Sequence, residues 1–164
     1  MEREQLLELE RKAWEAFVGA VRRIPEHVRR ESEVVPGWST NDLVFHVGKW
    51  AGVAADKLEI LARSENVTED DDWQGQNDAW AAQSKSMPYE QVMSSAMQER
   101  DRALRALGAV DAVTHEAESW FKEETIDHYA EHTDEIARFA DSLGPGDAGF
   151  MGQSPGAPGP GAAT

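Results

Sequence analysis

Four stretches of the chain repeat their apolar residues every three or four positions, and none alternates apolar and polar residues long enough to make a half-buried strand. That pattern restricts the chain to helices packed on helices. From Glu4 to Ile24 the inward stripe is Leu6, Leu9, Ala13, Phe17, Ala20, Val21 and Ile24, with Trp14 beside it, and Pro25 ends the helix. The segment through Pro36 and Gly37 reads as a loop with room for one short turn. A second helix opens on Ser39-Thr40-Asn41-Asp42, a hydroxyl followed three residues later by a carboxylate, and turns Leu43, Val47, Trp50, Ala54, Leu58 and Leu61 inward. Asp70-Asp71-Asp72 is a solvated lead-in to a helical stretch from Trp73 to Lys85. Pro88, tolerated in a first turn, starts another that runs to Leu107 and stops at Gly108. A connection from Ala109 to Ser119 precedes the last long helix, Trp120 to Leu143. The expected fold is an all-α four-helix bundle over residues 1–143.

Beyond it the composition changes. Residues 144–164 hold seven of the 13 glycines and four of the 7 prolines, too little apolar surface to offset ordering entropy, so a disordered tail is expected there. The 164 residues suffice for one core. A formal charge of −15 disfavours nucleic acid and anionic membrane as partners. No apolar run approaches the roughly 20 residues that span a bilayer, and the first residues carry no signal-peptide pattern, so a cytoplasmic location is expected. Self-association as a homodimer stays open. With no cysteine in the chain, any thiol chemistry needs an external thiol.

The chemistry concentrates in Glu124-Thr125-Ile126-Asp127-His128-Tyr129-Ala130-Glu131-His132. Four residues apart on a helix, His128 and His132 project from one face, and at roughly 100° per residue that face also carries Phe121, Thr125, Ile136, Phe139 and Leu143. His46 lies at the border of the second helix's stripe. One imidazole on one helix and a pair on another make a three-histidine site for a divalent ion, Zn, Ni or Fe; the alternative is a hydrogen-bonded polar cluster in the core. His27 and His115 fall in loops and are expected to be exposed. Trp50, Trp80 and Trp120 either line a cavity or pack in the core. Asp42 either orients His46 or caps its helix, and Glu124 and Glu131 are expected on a solvent face. Tyr129 either brings a hydroxyl to the site or packs.

The stretch Gly37-Trp38-Ser39-Thr40-Asn41-Asp42-Leu43-Val44-Phe45-His46-Val47-Gly48-Lys49-Trp50 resembles the signature that opens the second helix of DinB-like four-helix bundles. Asp127-His128-Tyr129-Ala130-Glu131-His132 resembles the His-x-x-x-His of their last helix, and Trp73 to Leu107 also fits. That superfamily includes mycothiol-dependent maleylpyruvate isomerases, bacillithiol transferases and DfsB-like protection proteins. The resemblance implies a metal held by His46, His128 and His132, activating a low-molecular-weight thiol or water against a small-molecule substrate. Three functions follow from it: a thiol transferase, a protein that binds or hydrolyses a reactive small molecule, or an interaction module with structural histidines. If the three histidines meet, the site lies toward one end of the bundle, with Trp38, Asn77 and Trp80 as the expected substrate-binding walls.

Overall fold

The computed structural model describes residues 1–69 and 71–144; Asp70 and the tail from residue 145 onward lie outside the described residues. Helix α1 spans Arg3–Arg23 and closes where Ile24 turns extended ahead of Pro25. A single helical turn, α2 (Val28–Glu31), leads into two short antiparallel strands, β1 (Glu33–Val35) and β2 (Trp38–Ser39). This ribbon of three and two residues is too short to form a layer of its own, and the fold is the expected all-α bundle. The ribbon's tight turn needs a residue with positive φ, and Gly37 supplies it at 84°.

Helix α3 (Thr40–Ala62) starts on the expected cap: the Asp42 backbone N–H donates to Ser39 Oγ at 3.2 Å, and the Ser39 N–H donates to Asp42 Oδ2 at 2.9 Å. Helix α4 (Trp73–Ser84) begins at Asp72, whose side chain accepts from the Gly75 N–H. Helix α5 (Tyr89–Ala109) runs through Gly108, which does not adopt the left-handed conformation; Val110 ends the helix by turning extended.

The last helix begins earlier than expected. Thr114 caps α6 (His115–Phe121) by accepting from the Ala117 N–H at 3.1 Å, and Glu116 and Glu118 favour the positive end of the helix dipole. His115 is thus the first residue of a helix, though exposed. A π-helical segment, Lys122–Asp127, joins α6 without a break to α7 (His128–Ser142). The buried positions explain the wider turn. Ala117, Phe121, Thr125 and Tyr129 recur every fourth residue, which overruns an α-helix of about 3.6 residues per turn until one face drifts off the core. The π segment absorbs the excess, and His132 and Ile136 then resume α spacing.

Helix α3 packs along α5, α1 packs along α7, and α3 also meets α6, the π segment and α7. The core divides in two. One cluster, around Trp14, Phe17, Val21, Leu43, Val47, Val92, Tyr129 and Ile136, lies at the end where α3 begins. The other, around Leu6, Leu58, Leu107 and Phe121, fills the opposite end.

Candidate metal centre

Helix α3 carries His46 two turns past its cap, and α7 presents His128 and His132 one turn apart on the facing side. The three rings converge. His46 Nε2 stands 2.9 Å from His128 Nε2, and His128 Nε2 stands 2.9 Å from His132 Nε2. Ring centroids lie 4.8 to 5.0 Å apart, and all three donor atoms fall within 4.8 Å of one another.

Hydrogen bonding alone does not satisfy this arrangement. A neutral imidazole nitrogen either carries a hydrogen or offers one lone pair, so His128 Nε2 cannot donate to one neighbour and accept from the other. His132 Nδ1 lies 2.6 Å from Glu135 Oε2, and a nitrogen facing a carboxylate carries its hydrogen, so the neutral form of the ring is the tautomer with its Nε2 lone pair toward the centre. Burial, with repulsion from the neighbouring rings, pushes His46 down to about 3 and His128 down to about 2, so both are uncharged near neutrality. Imidazole nitrogens converging on one point suit a divalent cation, which takes a lone pair from the neutral form of each ring. The Glu135 contact is the usual carboxylate support of a ligating histidine. His46 departs from that pattern, since its buried Nδ1 has no hydrogen-bond partner among the described residues.

A cavity of about 250 Å³ opens beside the histidines, lined by Val35, Trp38, Leu43, His46, Gln74, Asn77, His132 and Glu135. The ribbon supplies Val35 and Trp38, and α4 supplies Gln74 and Asn77. Trp38 meets His46 edge-on at 5.0 Å. Asn77 is held by the Trp50 Nε1–H, which donates to its Oδ1 at 2.9 Å. Trp80 does not reach the cavity wall. One turn beyond Asn77, its ring packs edge-on against Trp50 at 5.5 Å, and Trp50 in turn stands 5.9 Å from His128. Trp80 therefore props the wall from behind.

Asp42 takes no part at His46. Its carboxylate caps α3, accepts from Ser84 Oγ at 2.6 Å and pairs with Lys85, so it pins the end of α4 to the start of α3. Tyr129 packs between Trp14 and Phe17, on the side of Glu10, and burial pushes its hydroxyl well above the ordinary value. Glu124 is a correction to the expected solvent face. It is largely buried against Lys57 at 3.3 Å, and Lys57 lies 3.2 Å over the Trp120 ring, which the earlier start of the helix brings within reach. Burial raises Glu124 and Lys57 opposes the rise. Glu135 and Gln74 are absent from a reading of motif residues, although Glu135 is three residues from His132 on a helix and so within contact distance of it.

Fold and site together define a DinB-like helical bundle with a buried histidine triad able to hold a metal ion. The chain belongs to the family described as the mycothiol maleylpyruvate isomerase N-terminal domain, whose family model matches residues 7–123. The match includes His46 and stops short of His128 and His132. Comparison with curated proteins and with solved structures finds no match. Among the described residues no helix is long and apolar enough to cross a membrane.

Proposed function

We propose that the chain binds one divalent ion, Zn, Ni or Fe, through His46, His128 and His132, and that it transfers a small cellular thiol onto an electrophilic small molecule. The observation that supports this reading is the convergence of three imidazole nitrogens on one point, where hydrogen bonding offers at best one hydrogen shared between two acceptors. When bound, such an ion lowers the pKa of a thiol and holds its sulfur as the thiolate.

The chain's own residues do the rest. Glu135 fixes the orientation of His132 and the hydrogen on its Nδ1. Trp38, Val35 and Leu43 keep water from one side of the cavity, and Trp50, backed by Trp80, holds Asn77 with its carboxamide at the wall. No cysteine exists in the chain, so the nucleophile is a cosubstrate. Written as an addition, the sulfur–carbon bond forms at an electrophilic carbon as the π bond of that carbon opens, and the proton lost by the thiol goes to the atom that receives the π electrons, so no group leaves.

Metal content decides the first half. Zinc-equilibrated wild type is expected to retain one ion per chain and His128→Ala none, and equal metal in both would reject the site. Thiol consumption with a panel of electrophiles decides the second half. Turnover that depends on metal and on His128 supports transfer, whereas tight ligand binding without thiol consumption favours a protection protein instead.

A further inference from the structure

We infer that the cavity beside the triad is built for a small ring-bearing molecule that is uncharged or cationic, and that Glu135 is the residue that sets this preference. The inference takes the same site as the proposed function and asks which substrate class it admits.

Size comes first. At about 250 Å³ the cavity is smaller than the roughly 300–1,000 Å³ typical of drug-sized ligands, so it admits one ring with a short substituent. Val35, Leu43 and the Trp38 indole give that ring an apolar and aromatic wall. The polar residues of the lining, besides the histidines, are Gln74, Asn77 and Glu135.

Charge comes second. Among the described residues that line the cavity, none is Lys or Arg. Lys85 lies nearby at the ribbon, but its ammonium is engaged by Asp42 and by the Gly37 carbonyl at 3.0 Å. Asn77 Oδ1 is occupied by Trp50, which leaves its N–H₂ as a donor; Gln74 Nε2 donates to Asp78 Oδ1 at 3.0 Å, which leaves its carbonyl as an acceptor. Such a set hydrogen-bonds a neutral amide or hydroxyl well. It offers a carboxylate no countercharge and faces it with a like charge at Glu135. A divalent ion held by the three imidazoles would bring two positive charges, which one thiolate and the Glu135 carboxylate would balance, so no excess would remain to draw in a second anion. A dicarboxylate such as the maleylpyruvate of the family's description is therefore a poor match for this wall.

Benzamidine, benzamide and benzoate test this directly, being nearly isosteric and respectively cationic, neutral and anionic. Each is titrated into the metal-free full chain while the indole N–H signals are followed by NMR, with the Trp38 signal assigned from Trp38→Phe. Benzamidine is expected to bind tightest and benzamide next, both shifting the Trp38 signal and both at least tenfold tighter than benzoate. Glu135→Gln, which keeps an acceptor for His132 Nδ1, is expected to remove the advantage of benzamidine over benzamide. Benzoate binding as tightly as the other two, an unchanged order in Glu135→Gln, or no shift of Trp38 with any of the three overturns the inference. Zinc titration of the same preparations separates the two readings. Zinc binding with a preference for benzoate overturns only the ligand class, and the expected order without zinc binding overturns only the metal reading.

Discussion

Substituting Gly48 by Ala tests whether the close contact of α3 with α5 carries the site. A Cβ at Gly48 would lie 2.5 Å from the Cα and 2.8 Å from the Cβ of Ala96, both fixed parts of the facing helix. Normal carbon–carbon contact is about 3.5–4.0 Å, so the helices must part by about 1 Å, and a gap of that size forfeits a quarter to a half of the dispersion energy of each contact it opens. Overpacking of this kind costs about 1–3 kcal/mol, against a helix-propensity gain of about 1 kcal/mol for Gly to Ala. The neighbours that lose contact, Val44, Val47, Ala51 and Val92, are fully buried, which favours the upper half of that range. The net loss is about 1–2 kcal/mol, or roughly 2–8 °C in Tm for a chain of this size. Two other glycines calibrate the measurement. Gly19 in α1 has nothing within 4 Å, so Gly19→Ala should raise stability by about 0.5–1 kcal/mol. At Gly52 a Cβ meets only the carboxylate end of Glu99, which can swing away, so Gly52→Ala should be close to neutral. Thermal unfolding followed by far-ultraviolet circular dichroism ranks the three. Because Gly48 lies two residues from His46, its substitution should also weaken zinc binding, while Gly19→Ala leaves it unchanged. Gly48→Ala unfolding at or above the temperature of Gly19→Ala would refute the reasoning.

Inside the bundle, Glu10 is 1% exposed and grips Arg100 through two bonds of 2.6 and 2.7 Å. Glu10→Ala should cost about 2–3 kcal/mol, below the full cost of breaking a buried pair because the Arg100 side chain keeps some solvent contact, and adding Arg100→Met should recover part of the loss in denaturant titrations. Tyr129→Phe should change stability by no more than about 1 kcal/mol, since the buried hydroxyl makes no well-formed hydrogen bond among the described residues and the Glu10 carboxylate on its side is already gripped by Arg100; a loss on the scale of Glu10→Ala would contradict that. Asp42 sets an acid limit. Burial pushes its carboxyl up, but Lys85, Ser84 and Ser39 outweigh that and hold it below its ordinary value. Its contribution to stability is thus complete above the unfolded value of about 3.9 and is lost as pH falls through the lower folded value, and Asp42→Asn should be less stable at neutral pH with a shallower acid decline.

Several helix ends were legible because their signals act locally. Ser39 with Asp42, Pro25 and Pro88 are such signals, and the structure uses all of them. The start of the last helix was missed because its cap, Thr114, is followed by charged residues rather than an apolar stripe, so nothing periodic begins until Ala117. The ribbon was missed for a different reason. Strands of three and two residues are too short to show alternation, and they exist because α2 and the start of α3 bring their backbones together around Gly37. Glu124 was misplaced because helical position alone cannot tell that Lys57 waits on the facing helix.

The triad itself was legible from residue type and spacing, and what spacing could not foresee is how the helix brings it to α3. On an unbroken α-helix, a stripe through Phe121 and Thr125 that faces the lower core would leave Tyr129 rotated away from Trp14 and Phe17. The π segment ends one residue before His128, so it sets the rotation of everything after it: Tyr129 turns to α1 and His128, beside it, turns to His46. A widened turn is costly unless its freed groups are satisfied, and Thr125 Oγ1 does part of this by donating to the Phe121 carbonyl at 2.5 Å. The four-residue repeat from Ala117 to Tyr129 is therefore what aims the histidine pair, and the metal-binding geometry depends on core residues that never touch the site.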